Sequence, residues 1–226
     1  MDKYLYRYIL SDFSFAAFEP NMLVIDIGCG NGAQLKKLES RGCRAIGVDP
    51  DRNRVNTCTQ RGVSAIEGHA EKLPFANATF DGVICKGVIP FTRPPAAFRE
   101  IQRILKPGAV GQFCYLSSGF YLRYLLLGPD RWLRHRVYGL RTLINTWFFE
   151  VTNRALPGLF GDTIYQSQRQ LRRYYKESGF TLLRETPSRR FAGLPVFIYH
   201  TVRRDSIPCG AVAVLTRQEK AMRTVA

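Results

Sequence analysis

The sequence predicts an α/β fold: a doubly wound, mostly parallel sheet of seven strands with a helical insertion after the fifth. Three observations predict it. Short apolar runs recur at residues 22–27, 44–48, 63–66, 80–85 and 109–116, as expected of strands buried on both faces. Helical stretches fall between them, at 33–41, 52–60 and 95–105, closed by Gly42, by Gly62 and by Lys106-Pro107-Gly108. The alternation pauses at Ser117 and resumes after Gln166 with a helix at 169–178 and strands at 181–184 and 195–202. Residues 4–18, with Leu5, Ile9, Phe13 and Phe18 near helical spacing, read as a short leading helix. The expected organisation is one domain, 1–226, with an insertion at 117–166 and a basic tail at 203–226.

The bulk numbers narrow the class. A chain of 226 residues with 46% hydrophobic and 23% charged residues suits a globular domain with a sizeable core. The net charge of +15 is unevenly spread: residues 1–116 carry +4 and residues 117–226 carry +11. Such a bias suits an anionic partner, whether a phosphorylated substrate, an anionic membrane surface or a nucleic acid. The six cysteines form no C-x-x-C pair and no zinc-like spacing, so they read as reduced thiols and no metal is expected. The first residues lack the apolar core of a signal peptide, and no uncharged run is long enough to span a membrane. The expected location is the cytoplasm, with peripheral contact at a membrane.

The chemistry begins at Val24-Ile-Asp-Ile-Gly28-Cys-Gly30-Asn-Gly32, a strand-to-helix turn. Glycines there permit a tight turn and let backbone approach a ligand closely. Gly28, Gly30 and Ala33 also satisfy the dinucleotide pattern, and Asp49 lies about 20 residues on, where a carboxylate can accept hydrogen bonds from ribose hydroxyls. Charge separates the two readings. Asp26 precedes the loop by two residues, where it would repel a pyrophosphate but attract a ligand bearing an ammonium and a sulfonium.

Further along, the chain resembles the type 11 class I methyltransferases, whose cofactor is S-adenosylmethionine (SAM) and whose product is S-adenosyl-L-homocysteine. The resembling residues are 24–32, Gly47-Val-Asp-Pro50, Gly68-His-Ala-Glu-Lys-Leu-Pro-Phe75, Thr79-Phe-Asp-Gly-Val83 and Phe98-Arg-Glu-Ile-Gln-Arg-Ile-Leu-Lys-Pro-Gly108. These five motifs, in family order, cover roughly residues 22–116. The resemblance implies a Rossmann-like sheet in which Asp26, Gly28 and Gly30, with the neighbouring backbone of Cys29, Asn31 and Gly32, hold the methionine part of SAM. It further implies Asp49 on the ribose, and Pro50, His69 and Ala70 around the adenine. Two departures stand out. His69 occupies a position usually held by Asp, where a neutral imidazole can accept the same hydrogen bond. Ile89-Pro90-Phe91 replaces a Leu-His-His stretch, so acceptor chemistry built on those histidines does not carry over.

Other side chains are less specific. Lys86, at the end of the fourth strand, is placed near the reacting methyl. Cys29 reads as packing, since nothing supplies an activated thiolate, and His200, alternating with Val196 and Ile198, reads as structural. No residue stands out as a base. A sulfonium is already a strong electrophile, so alignment supplies much of the rate; for a hydroxyl acceptor the candidate bases are His69, His135 and Tyr165.

The insertion is the unusual part. Residues 120–127 are almost wholly apolar, and Asp130 is placed to cap a helix running to about Asn153. Along that helix Leu133, Val137, Leu140, Ile144, Trp147 and Val151 keep helical spacing, with Arg131, Arg134 and Arg141 off the stripe. The stripe is expected to pack on the sheet as a lid over the acceptor, and a lipid interface is the compatible alternative. The expected activity is methyl transfer from SAM to a small-molecule acceptor, anionic, amphipathic or lipid-linked. The rival readings are a nucleic-acid (RNA) methyltransferase, which the charge favours but which lacks an Asn/Asp-Pro-Pro-aromatic stretch, and a non-catalytic SAM-binding protein.

Overall fold

A computed structural model describes residues 18–127, 133–152, 156 and 164–206. In chain order the elements are β1 (Leu23–Ile27), α1 (Ala33–Glu39), β2 (Arg44–Asp49), α2 (Arg52–Gln60), β3 (Ala65–Glu67), β4 (Phe80–Lys86), a 3-10 turn (Ile89–Phe91) and α3 (Pro94–Ile104). They continue with β5 (Leu105–Leu116), α4 (Ser118–Leu127), α5 (Leu133–Thr152), α6 (Gln168–Glu177), β6 (Phe180–Phe191) and β7 (Leu194–Arg204). All of the expected leading helix at 4–18 except Phe18, together with the Asp130 cap and the tail beyond 206, lies outside the described residues.

The seven strands form one sheet in the order β3-β2-β1-β4-β5-β7-β6. The first five are parallel, and β7 enters antiparallel between β5 and β6. The strand order reverses between β1 and β4, and in open α/β sheets the crevice at such a switch point takes the ligand. Core lies on both faces, with Ile25, Val83, Phe98, Phe113 and Tyr175 in the larger cluster and Val24, Leu35, Leu38 and Ile84 in another. Strands buried on both sides explain why the sequence shows continuous apolar runs there rather than alternation.

Three expectations are corrected. The sixth strand extends well past Arg184, to Phe191. It is an edge strand paired only with β7, so Pro187 and the arginines at 189–190 cost no second ladder and blur the strand signal. The hairpin to β7 turns through Ala192 and Gly193, both at positive φ. Arg203 and Arg204, read as the start of the tail, are strand residues of β7. The third correction concerns the insertion, which is a helical hairpin. Residues 120–127 are helical rather than merely apolar, and α4 docks on the β7–β6 half of the sheet while α5 packs on α4.

The apolar stripe of α5 does not pack on the sheet. Leu133, Val137, Leu140, Ile144, Trp147 and Val151 are all exposed, and the buried face is Gly139, Thr142, Asn145 and Thr146. The reason is steric: a Cβ at Gly139 would lie 2.8 Å from the Tyr121 carbonyl oxygen, so the small-residue face admits the closest approach of the two helices. The buried polar atoms are satisfied locally. Thr142 and Thr146 hydroxyls donate to carbonyls four residues back, Asn145 Oδ1 accepts from Leu156 N, and Thr146 Oγ1 accepts from Tyr165 N.

Candidate functional site

The glycine loop follows β1 and is folded onto the end of β2. Gly28 N donates to Val48 O at 2.7 Å, Cys29 N donates to the same oxygen at 3.1 Å, and Gly30 N donates to Asp49 Oδ2 at 2.9 Å. Asp49 Oδ1 takes a second backbone bond, from Asp51 N, and Arg54 stands 3.6 Å from Oδ2. The carboxylate is thus fixed at the strand end with lone pairs remaining for further donors.

Gly28, Gly30 and Gly32 all adopt positive φ. At Gly28 (φ +72) a Cβ would lie 2.1 Å from Val88 Cγ2. The missing side chain is therefore required by a neighbour across the switch point as well as by the turn. We expect Gly28→Ala to destabilise the fold by about 2–4 kcal/mol, from backbone strain plus overpacking. Adding Val88→Ala should return the packing part alone. Urea denaturation of the single and double variants measures both; a single variant as stable as the parent would refute the contact.

Asp26 is buried, and its Oδ2 has no hydrogen-bond partner. Burial raises its carboxyl to about 7, against the lowering pull of Lys86 and with a smaller push from Asp49. A desolvated carboxylate with an unanswered oxygen at the switch point is a receptor for a cation. Lys86, half-buried at the end of β4, contributes field to this centre.

Of the remaining expected residues, Asn31 and Pro50 are exposed beside the loop and the end of β2, and Arg61 donates to Asn31 O. His69 is exposed and Ala70 buried, just beyond β3, where Gly68 N donates to Asp49 O. Cys29 is packed: its Sγ would lie 2.5 Å from a Cβ on Gly47, and burial pushes its thiol far above the usual range. Tyr165 stacks on Tyr121 at 5.5 Å and sits near Ser118, at the root of the insertion. Burial also raises its phenol. The side chain of His135 lies outside the described residues. His69 lies just beyond β3, at one edge of the sheet, while Tyr165 stacks on α4, which docks on the β7–β6 half, so the arrangement does not bring them together as a pair.

Sequence reasoning missed the groups that hold the loop of residues 71–77. Arg103 of α3 donates to the carbonyls of Leu73 and Phe75 and to Asn77, and pairs with Glu100, which in turn accepts Leu73 N. Glu71 accepts Arg93 N from the start of α3. The available signal was an i,i+3 charge pair inside an otherwise apolar helix face. His200 is neutral in the core: its Nδ1 lies 3.0 Å from Tyr175 Oη, and burial lowers its pKa to about 4.

Comparison with known proteins agrees with this geometry. The model of a methyltransferase domain matches residues 25–112. The demethylmenaquinone methyltransferase of Corynebacterium kroppenstedtii is 31% identical over 116 residues, 48% of this chain and 51% of that protein. The fatty-acid O-methyltransferase of Mycolicibacterium smegmatis is 28% identical over 173 residues, 68% of this chain and 62% of that protein. The chain thus covers less than two thirds of either curated relative. Among solved structures, a SAM-dependent methyltransferase from Methanosarcina mazei superposes with a TM-score of 0.63 at 17% identity, over 87% of this chain and 99% of that one. Residues 25–112 thus match a methyltransferase domain, and the sheet order and switch-point loop around them are those of the class I SAM-dependent methyltransferase fold.

Proposed function

We propose that this protein transfers a methyl group from SAM to a small-molecule acceptor that is amphipathic or lipid-linked. The observation that carries the cofactor half is the orphaned Asp26 oxygen, buried at the switch point in a fold whose loop glycines open the backbone to a ligand. SAM supplies an electrophilic methyl carried on a sulfonium. Asp26 holds the cationic end, opposite the backbone of residues 28–32. Asp49 accepts the ribose hydroxyls on lone pairs that Gly30 and Asp51 leave over, and Pro50, His69 and Ala70 border the adenine. Cys29 stays a neutral thiol and does not compete as a nucleophile.

The acceptor half rests on the insertion and the relatives. Residues 117–166 start at the C-terminal end of β5 and build an aromatic cluster of Phe120, Tyr121, Tyr124, Tyr138 and Tyr165, a surface suited to an apolar acceptor. Two relatives carry a demethylated menaquinone and a fatty acid in their names. Rate comes from aligning acceptor, methyl carbon and sulfur. With the Tyr165 phenol pushed up by burial and His69 exposed at the far strand end, an acceptor that ionises by itself is the best match.

Two measurements test this. Calorimetric titration with SAM should give an affinity that weakens as pH falls through 7, because Asp26 must lose its proton to meet a cation. Between pH 7.5 and 5.5 the Kd should rise roughly 20-fold. A flat profile would remove Asp26 from the site. In parallel, methyl-labelled SAM incubated with a cell extract should pass label to material soluble in organic solvent. Label appearing only in RNA would overturn the acceptor class.

A further inference from the structure

Helix α5 is inside out for a helix bathed in water. It buries Thr142, Asn145 and Thr146, each at most 1% exposed, and presents Leu133, Trp147 and Val151 at 72%, 67% and 68% exposure, with Val137, Leu140 and Ile144 between them. At about 100° per residue the six apolar positions fall within an arc of roughly 80°. Leu126 and Leu127 at the end of α4 are exposed as well. A contiguous apolar strip of this kind marks a surface that another phase or molecule covers.

The charges around it say which. Arg136 borders the strip on one side and Arg141 on the other, while the only acidic residue of α5, Glu150, lies off it and accepts a hydrogen bond from Ser167 Oγ. Arginines along both edges of an apolar helix face suit a helix lying in an interface, with aliphatic stems over lipid and guanidinium heads among phosphates. At the C-terminal end the strip runs into a groove lined by Phe149, Glu150, Val151, Arg169, Gln170 and Arg173. There the Gln170 side-chain amide nitrogen is buried without a partner, and two guanidinium-bearing residues flank it. Donors of this type recognise a phosphate group.

We propose that the exposed face of α5 docks the protein onto an anionic lipid surface, with the α5–α6 groove seating a headgroup phosphate. The charge asymmetry of the chain agrees: +11 of its +15 falls after residue 116. No helix among the described residues is long and apolar enough to cross a membrane, so the contact is peripheral. The proposal concerns adsorption alone and stands or falls apart from methyl transfer.

Vesicle flotation tests it, using phosphatidylcholine alone against equal parts phosphatidylcholine and phosphatidylglycerol. The full chain should float with the anionic vesicles and stay in the dense fraction with the neutral ones. Trp147→Glu with Val151→Glu should lower partitioning about tenfold or more, at unchanged melting temperature and SAM affinity because both side chains are exposed. Arg169→Gln with Arg173→Gln should weaken flotation and reduce its dependence on salt. No flotation at low salt, or equal flotation with both vesicle types, overturns the proposal. So does a dimer in light scattering that the Trp147→Glu, Val151→Glu variant converts to monomer while vesicles are ignored, which would assign the face to a second copy.

Discussion

Replacing Asp26 by Asn should abolish SAM binding and at the same time make the unliganded protein more stable. The two effects share one cause. In the fold the carboxyl titrates near 7 rather than at its unfolded value of 3.8, because burial disfavours its charged form more than Lys86 favours it. Between those two pH values the folded chain holds a proton that the unfolded chain has lost, so stability falls as pH rises through the window and the full cost is carried above 7. A shift of about three units corresponds to roughly 2–4 kcal/mol. The neutral isostere escapes that cost. At pH 8 the Asn variant should melt several degrees higher, on the order of 5–10 °C for a domain this size, whereas at pH 4 the two proteins should melt together. Binding moves the other way: the cation loses its counter-charge in a desolvated site, and the Kd should rise at least about 100-fold. Thermal melts at both pH values, with SAM titration of each protein, read both halves. A variant that binds SAM normally, or that melts lower at pH 8, would sink the assignment. Such opposition between stability and binding is expected where a site carries a strained charge for a ligand.

Much of this centre was legible in the sequence because its determinants are local. A glycine at φ +72 after an apolar strand, a carboxylate two residues before it and another at the end of the next strand are fixed by chain connectivity, and the parallel order brings their ends together. What was not legible depends on contacts between distant segments. Val88 explains Gly28 sterically, yet the residues are 60 positions apart and no spacing rule links them. Helical periodicity revealed an apolar face on 133–152 but could not say what the face meets. The buried side was carried by Gly139, Thr142, Asn145 and Thr146, which read as polar surface until α4 is laid against them. Likewise residues 185–191 form a strand only because β7 supplies a partner.

The hairpin of α4 and α5 should be separable from the cofactor site by one substitution. Gly119, at the start of α4, is pressed on the first residues of β7: a Cβ would lie 2.5 Å from Leu194 O and 2.6 Å from Pro195 O, both backbone atoms that cannot turn aside. Gly119→Val must therefore lift α4 from the sheet or bend β7. The hydrogen bond from Ser117 N to Val196 O sits directly at this root, so lifting is expected to start there and to expose Phe120 and Tyr121, which now pack on Phe197. The cost is about 3 kcal/mol or more. The groups proposed to cradle the cofactor, Asp26, Asp49 and Lys86, lie on β1, β2 and β4, whereas α4 docks on β7 and β6 and α5 on α4. Amide exchange should consequently accelerate through 118–152 while residues 23–86 keep their protection, and SAM should bind within a few-fold of the parent. Transfer of label to the acceptor, by contrast, should be lost. Parallel loss of SAM affinity and of protection in β1 and β4 would show that insertion and sheet are one cooperative unit. Unchanged exchange in 118–152 would mean that the contact at Gly119 does not anchor the hairpin.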